Sequence, residues 1–185
     1  VHMGRHDKVG FYSLETSPAK LTNRIIANRA IVDFGRINRR EMTQEEWERV
    51  VRLKGEIMES DVELIPASGW SVQDILSTAL QRRHKIIFID YLQQLTGRGK
   101  DRFEQVTRIS LDLHAMAQTH GILVVALSQL NRASTARPDA APTLTDLRES
   151  GQIEQDADAV LALYINEEEN APPNERCLQV LKNKE

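Results

Sequence analysis

The chain has 185 residues, 41% of them hydrophobic and 28% charged, with a formal net charge of −3 at pH 7. This balance is typical of one globular domain and gives no overall electrostatic reason to bind nucleic acid or an anionic membrane. One cysteine, five histidines without metal-ligand spacing and no long apolar run argue against zinc enzymes and membrane proteins, and favour a cytoplasmic location.

The N-terminal part of the chain predicts two strands separated by two helices. An apolar run over 9–14 without alternation is typical of a strand that is covered on both faces. A serine N-cap followed by proline predicts a helix over 18–33, and capping-box spacing predicts a second helix over 44–59. A short strand is expected near 62–65.

The middle of the chain continues the alternation of helix and strand. A helix that opens at Ser71 ends in the basic run 82–85, which is expected only to complement the helix C-terminus. An apolar strand then leads to Asp90. Helical periodicity predicts a long helix over 103–117, followed by a strand over 122–127. This alternation predicts an α/β fold with a mostly parallel central sheet flanked by helices.

The C-terminal part predicts a long loop and a hairpin. The polar stretch 131–142 contains two prolines and is expected to form an extended, mobile loop. Two strand-like runs, 159–165 and 177–181, are joined by an acidic, proline-containing connection and are expected to pair as a C-terminal β-hairpin. We expect residues 1–185 to form a single domain.

Three of the predicted strands end in polar side chains. Glu15 follows the first strand, Asp90 closes the central one, and Ser128 and Gln129 follow the strand over 122–127. Ligands of parallel α/β sheets bind at the carboxyl ends of strands, so we expect these side chains to share one cleft. A carboxylate for a metal, a carboxylate that polarises water and an amide that senses phosphate are typical of a nucleotide hydrolase.

Each of these residues also has a structural interpretation. Asp90 could cap a turn, Glu15 could be a solvated residue before a helix, and Gln129 could satisfy backbone groups of a loop. For one such residue taken singly, the structural interpretation is the better one. Their combination at neighbouring strand ends favours a chemical role.

Four segments of the chain resemble successive motifs of DnaB-type replicative helicases, in the same order. They are residues 11–17, 89–93, 126–132 and 146–158. The resemblance covers nearly the whole chain and implies a RecA-like ATPase core, the C-terminal motor domain of a hexameric ring that unwinds DNA. It also implies ATP and Mg²⁺ as cofactors, single-stranded DNA, primase and a helicase loader as partners, and no membrane association.

The resemblance gives roles to the residues at the strand ends and to two lysines. Glu15 takes the position of the general base that activates the attacking water. Asp90 takes the Walker B position that holds Mg²⁺, whose charge should keep the carboxyl ionised. Gln129 matches the residue that contacts the terminal phosphate and passes its state to the DNA-facing loops. Lys182 and Lys184 resemble a Lys-x-Arg finger that reaches into the next subunit's site, with lysine in place of the usual arginine.

The segment 146–151 resembles the family's loop that lines the central channel. In that loop Arg148, Glu149 and Gly151 take positions that touch the sugar-phosphate backbone of single-stranded DNA. Six subunits that each contribute one or two contacts need little bulk positive charge, so the acidic balance of the chain is no objection. Without the resemblance, an internal pair of Arg148 with Glu149 or Asp146 is an equally good interpretation.

The sequence contains no Gly-x-x-x-x-Gly-Lys-Ser/Thr phosphate loop. Residues 97–100 read Gly-Arg-Gly-Lys, but they lack the first glycine of the motif and follow the Asp90 strand. In the family the phosphate loop and its strand precede the motif at Glu15. The chain is therefore expected to be a domain truncated at both ends, without its first strand, which is central in the sheet. We predict that the isolated chain neither binds ATP tightly nor hydrolyses it.

Two other functions stay open on the sequence. A nucleotide-free RecA-like scaffold or DNA-binding regulator would keep the fold without a phosphate loop. A Gly-Lys-Ser/Thr motif encoded within about 30 residues upstream of Val1 would favour the motor over that scaffold. A RecA or circadian-clock type ATPase would share the fold and the acids at the strand ends, but the motif over 146–158 argues against it.

Overall fold

A computed structural model describes residues 3–131, 141–147, 151–165 and 175–184. Strands and helices alternate through most of these residues, as the sequence predicts. The strands are β1 (Val9–Ser13), β2 (Val62–Pro66), β3 (Ile86–Asp90), β4 (Leu123–Ala126), β5 (Ala159–Ile165) and β6 (Arg176–Asn183). The helices are α1 (Pro18–Ala30), α2 (Phe34–Arg39), α3 (Gln44–Met58), α4 (Val72–Arg82), α5 (Arg102–His120) and α6 (Gly151–Asp156).

Strands β1 to β4 form one parallel sheet in the order β2-β1-β3-β4. Val9 of β1 lies opposite Val62 of β2 and Ile86 of β3, and Ile86 lies opposite Leu123 of β4. Because all four strands run in the same direction, their carboxyl ends lie at one edge of the sheet. The predicted α/β fold with a parallel central sheet is confirmed.

Three helices begin where their capping residues predict. The Ser17 hydroxyl accepts a hydrogen bond from the backbone N–H three residues further on, at the start of α1. Thr43 and Glu46 form a capping box at α3, and Ser71 and Asp74 form another at α4. Caps of this kind satisfy backbone N–H groups that have no partner within the helix, so they fix the first residue of each helix.

The helix predicted over 18–33 is wrong at its C-terminal end. Helix α1 stops at Ala30 because Ile31 adopts the left-handed conformation, with φ 53° and ψ 54°. The Asp33 side chain then accepts a hydrogen bond from the Arg36 N–H and starts the short helix α2. In this fully described stretch, three helices rather than two lie between β1 and β2.

The main hydrophobic core lies between the sheet and the helices α4 and α5. Tyr12, Ile87 and Ile89 project into it from β1 and β3 and are fully buried. The helices contribute the apolar side chains of Val72, Ile75, Ala79, Val106, Ile109, Leu113 and Met116. Burial of one large aliphatic side chain contributes about 1.5–3 kcal/mol. This packing fixes β3, and therefore the position of the carboxylate at its end.

The expectation that the basic run 82–85 only complements a helix C-terminus is wrong. Arg82 forms an ion pair with Glu63 on β2. His84 is 3% exposed, and its Nδ1 lies 3.0 Å from the Tyr12 hydroxyl. These contacts join the connection between α4 and β3 to strands β2 and β1.

The C-terminal strands β5 and β6 pair antiparallel, which confirms the predicted hairpin. The register shifts between Val160 and Leu161, as at a β-bulge. Among the described residues, no strand joins the hairpin to the main sheet, whose four strands are adjacent without a gap. The hairpin is thus a separate sheet that follows β4 along the chain, and the absence of a central strand stays a prediction.

Most of the loop predicted over 131–142 lies outside the described residues, which include Asn131 and residues 141–142 of it. In the parts of the chain that the structure describes, no helix combines the length and the apolar character needed to cross a membrane.

Candidate functional site

The carboxyl ends of β1, β3 and β4 meet at one edge of the sheet. Ser13 at the end of β1 pairs with Asp90 at the end of β3. Beyond this pair, the Leu14 N–H donates to the Asp90 carbonyl at 2.9 Å. Strand β4 ends beside β3 in the same direction. The structure therefore brings Glu15, Asp90 and Gln129 to the same edge, as the sequence predicted, and their roles stay predictions.

The negative charge of Glu15 acts on the neighbouring carboxyl of Asp90. Glu15 is exposed beyond the end of β1, whereas Asp90 is partly buried. Burial raises the pKa of Asp90, and the negative charge of Glu15 raises it further, while Arg24 opposes both effects. A cation bound at Asp90 would favour the ionised form of its carboxyl.

Arg24 is a charged residue near this site whose influence was not predicted from the sequence. It lies on α1, its charge acts on Asp90, and its guanidinium carbon lies 5.9 Å from the centre of the Phe34 ring. Its place in the site depends on how α1 packs back against the sheet. Helical periodicity predicts the apolar stripe of α1 but not which polar residue reaches a strand end, so the sequence carried no signal for it.

Gln129 is held by a residue that follows the neighbouring strand. Its backbone N–H donates to the side-chain oxygen of Gln93 at 3.3 Å, and the Gln93 amide nitrogen donates to Ser128 Oγ at 2.9 Å. The Gln129 side chain is exposed and lines an open, polar cleft of about 560 Å³ together with Gln93, Arg102 and Gln105. Gln93 belongs to one of the segments that resemble helicase motifs, but no role was predicted for it.

A second group of polar side chains connects α5 with α6. Ser110 donates to one carboxylate oxygen of Asp156 at 2.7 Å, and the Gln152 side chain donates to the other at 2.7 Å. These contacts were not predicted from the sequence. The spacing of four between Gln152 and Asp156 is the signal that could have found their pair, because such residues are neighbours on a helix. This network fixes α6, and therefore Gly151 at its start, against α5.

Two of the three residues predicted to contact DNA lie between two described segments, and the third, Gly151, begins the second of them. Arg148 and Glu149 are outside the described residues. Gly151 is exposed and has open space where a side chain would stand. On the other side, Asp146 is buried, and its carboxylate accepts hydrogen bonds from the N–H and the hydroxyl of Thr143 at 2.9 Å each. The structure thus defines both flanks of the predicted contact.

The two lysines predicted to reach a neighbouring subunit lie at the end of the hairpin. The Lys182 ammonium donates to the carbonyls of Glu154 and Gln155 near the C-terminus of α6. Lys184 forms an ion pair with Asp158 at 2.8 Å. The contacts of these lysines that the structure describes are therefore with α6 and the residues after it, and not with the strand-end carboxylates.

The side chains at the strand ends suit a metal ion that takes most of its ligands from elsewhere. Among the described residues, no group of three or more His, Cys, Asp or Glu side chains could hold a metal ion. Mg²⁺ in nucleotide sites typically uses one or two carboxylates and takes its other ligands from phosphates and water. Asp90, with Glu15 beside it, fits this mode of binding.

The sequence matches a known family over its whole length. The model of the DnaB-like helicase C-terminal domain family matches residues 1–185. The replicative DNA helicase DnaB of Rickettsia typhi is 37% identical over 165 residues, which cover 86% of this chain and 33% of that protein. The chain thus spans about a third of the length of the curated relatives it matches.

Solved structures agree with the sequence match. A DnaB-like replicative helicase, described with its interactions with primase, gives a TM-score of 0.87 at 34% identity, covering 96% of this chain and 46% of that one. A separately solved ATPase domain gives the same TM-score of 0.87 at 34% identity, covering 96% of this chain and 67% of that one. A KaiC-like protein of Pyrococcus horikoshii, with a TM-score of 0.59 at 15% identity, covers 97% of this chain and 66% of that one, and shares the fold.

Proposed function

This chain belongs to the family of DnaB-like helicase C-terminal domains, and from that premise we propose that it is the ATP-hydrolysing motor domain of a hexameric replicative helicase. In the full-length protein, hydrolysis drives movement along single-stranded DNA and separation of the duplex. The observation that carries this proposal is the convergence of Glu15, Asp90 and Gln129 at one edge of the sheet. A role in replication implies a cytoplasmic protein.

The three residues at the strand ends have separate tasks in this proposal. Glu15, exposed at the rim, orients the attacking water and polarises it. Asp90 supplies the carboxylate for Mg²⁺, and the ion when bound neutralises the charge that develops on the transferred phosphoryl group. Gln129 donates from its side-chain amide to the terminal phosphate of ATP. The phosphate loop that cradles the nucleotide lies outside these 185 residues in the proposal, because the sequence contains no such motif.

The remaining predicted residues act in the assembled ring. Arg148, Glu149 and Gly151 contact the backbone of single-stranded DNA in the central channel. Lys182 and Lys184 approach the phosphates bound to the neighbouring subunit, where an ammonium supplies charge without the planar fork of arginine. Primase and a helicase loader are the proposed protein partners, and the solved relative described with primase supports the first of them.

The test is the ATPase activity of the full-length protein with and without single-stranded DNA. Glu15→Gln keeps the size of the side chain and removes its charge, so turnover should fall by a factor of about 10² to 10⁴, the range of general base catalysis. Glu59→Gln, at an exposed glutamate after α3, is the matched control and should leave turnover unchanged.

Two outcomes would contradict the proposal. Full activity of Glu15→Gln would remove that residue from its role as general base. A full-length wild-type protein that hydrolyses no ATP would support the alternative function, a scaffold or DNA-binding regulator. The match to replicative DNA helicases does not favour that alternative.

A further inference from the structure

We propose that Gln93 is a positioning residue, which holds the Ser128 hydroxyl and the main chain of Gln129 so that the Gln129 side chain faces the nucleotide. The inference rests on the proposed function, because it concerns the same hydrolysis reaction. Gln93 does not touch the reacting atoms in this scheme. It acts through the two residues that it binds at the end of β4.

The place of Gln93 explains why a side chain is needed there. The ladder between β3 and β4 is continued by two backbone hydrogen bonds, from the Leu127 N–H to the Ile89 carbonyl at 3.0 Å and from the Leu92 N–H to the Leu127 carbonyl at 2.9 Å. Ser128 and Gln129 then leave the sheet. The side chain of Gln93 makes the next two hydrogen bonds in this series, in place of backbone hydrogen bonds between the two strands.

The chemistry of the two bonds fixes the orientation of the Gln93 amide. The Gln129 N–H can only donate, so the atom that faces it is the amide oxygen, and the amide nitrogen faces Ser128 Oγ. Gln93 is 5% exposed. Without its amide, a partly buried N–H of Gln129 would lose its partner, and hydrogen bonds of this kind are costly to leave unmade.

Gln93 also connects the strand end to helix α5. Its backbone carbonyl accepts a hydrogen bond from the guanidinium of Arg102, the first residue of α5. The adjacent Gln94 differs, because it is exposed and its side chain donates to the Tyr91 hydroxyl at 2.6 Å. Gln94 lines the same cleft, which makes it a matched control.

The test compares Gln93→Met with Gln94→Met in the full-length protein. Methionine keeps the length of the side chain and removes both polar atoms. Gln93→Met should lower kcat for DNA-stimulated ATP hydrolysis by about tenfold or more, and should change KM for ATP by less than about threefold, because an interaction that serves the transition state is lost. Gln94→Met should stay within about twofold of the wild type in both constants.

A second variant covers the case in which Gln93→Met does not fold, as judged by circular dichroism and ring assembly. Ser128→Ala removes one of the two partners of the amide and should lower kcat by about threefold or more at unchanged KM. In a folded double variant its effect should not add to that of Gln93→Met, because both changes break the same connection.

The Glu15→Gln variant, measured alongside, distinguishes failure of the positioning role of Gln93 from failure of the motor function. Suppose that the wild type is active and Glu15→Gln is not. A wild-type kcat in Gln93→Met then overturns the positioning role and leaves the motor function standing. Where Gln93→Met does not fold, a wild-type kcat in Ser128→Ala has the same meaning. A variant whose KM for ATP rises while its kcat is not reduced also overturns the positioning role. A wild-type protein without ATPase activity overturns both.

Discussion

Leu130 and Leu147 pair with each other as an isolated antiparallel β-bridge. Leu130 directly follows Gln129, the predicted phosphate sensor, and Leu147 directly precedes Arg148, the predicted DNA contact. The backbone therefore brings the segment after Gln129 beside the segment before Arg148. If Gln129 and Arg148 have their predicted roles, a shift of the main chain at Gln129 would be passed through this pairing to the segment predicted to contact DNA.

Asn131→Pro should uncouple hydrolysis from DNA binding. The Asn131 N–H donates to the Asp146 carbonyl at 2.8 Å beside the leucine bridge, and proline removes that donor. The ratio of DNA-stimulated to basal ATPase activity should fall about three- to tenfold, because one backbone hydrogen bond contributes about 0.5–1.5 kcal/mol. The measurement is steady-state ATPase activity of the full-length protein at saturating single-stranded DNA.

Asn131→Ala is the matched control for the proline variant. It removes the exposed side chain and keeps the N–H, so the stimulation ratio should stay near the wild-type value. Equal loss in the alanine variant would assign the effect to the side chain, and an unchanged ratio in the proline variant would exclude the bridge as the route of coupling.

Features with local causes could be predicted from the sequence. The capping boxes at Thr43 and Ser71 define helix starts because cap and helix are neighbours along the chain. The strand ending at Asp90 was predictable because a short run without a polar face fits a strand covered on both sides. The shared edge of Glu15, Asp90 and Gln129 follows from the parallel direction of the strands.

Features that depend on packing between distant segments could not be predicted. The charge of Arg24 acts on Asp90, and His84 forms a hydrogen bond with Tyr12, across 66 and 72 positions of the sequence. The end of α1 depends on the left-handed conformation of Ile31, a β-branched residue that rarely adopts it. Gln93 was visible as part of a motif, but its two bonds exist only because β3 and β4 are neighbours.

His84 should make the stability of the domain depend on pH. Burial lowers the pKa of His84, the charges of Arg82 and Lys8 lower it further, and Glu63 on β2 opposes them. Its Nδ1 faces the Tyr12 hydroxyl, and among the described residues its Nε2 has no hydrogen-bond partner. The folded state therefore favours the neutral ring. Stability is complete above the unfolded pKa of about 6.5 and is lost as the pH falls from there toward the folded pKa.

Urea unfolding of the purified chain at about pH 7.5 and about pH 5.5 measures this effect, which cannot exceed about 1.4 kcal/mol per pH unit for one proton. His84→Gln should reduce the difference between the two pH values, because glutamine does not titrate. His120→Gln, at an exposed position in the last turn of α5, should keep it. An unchanged difference in His84→Gln would assign the pH dependence to other groups.

The isolated 185-residue chain should bind ATP poorly. Its sequence contains no phosphate loop, so the backbone amides and the lysine that normally surround the β- and γ-phosphates are missing. Titration calorimetry with ATP and Mg²⁺ should give a Kd of about 1 mM or weaker. Saturable binding at micromolar affinity would show that other residues of the chain hold the phosphates.

Lys184 should act on the active site of the neighbouring subunit. In the single chain it pairs with the exposed Asp158, and exposed ion pairs of this kind contribute little to stability. Lys184→Ala should therefore leave folding and single-subunit nucleotide binding intact while ATP turnover of the ring collapses. Asp158→Asn breaks the same ion pair from the other side. It should leave turnover unchanged if the lysine serves the next subunit, and should reproduce the loss if the pair itself is what matters.

Mixed rings distinguish action in trans from action within one subunit. Lys184→Ala subunits retain Glu15, and Glu15→Gln subunits retain Lys184, so one of the two kinds of mixed interface contains both wild-type residues. If Lys184 acts across the interface, mixing the two inactive proteins should restore part of the ATPase activity, with a maximum near equal amounts. If it acts within its own subunit, every site in the mixture lacks one residue and no activity returns. Steady-state ATPase activity measured across a series of mixing ratios therefore decides which subunit's phosphates the lysine contacts.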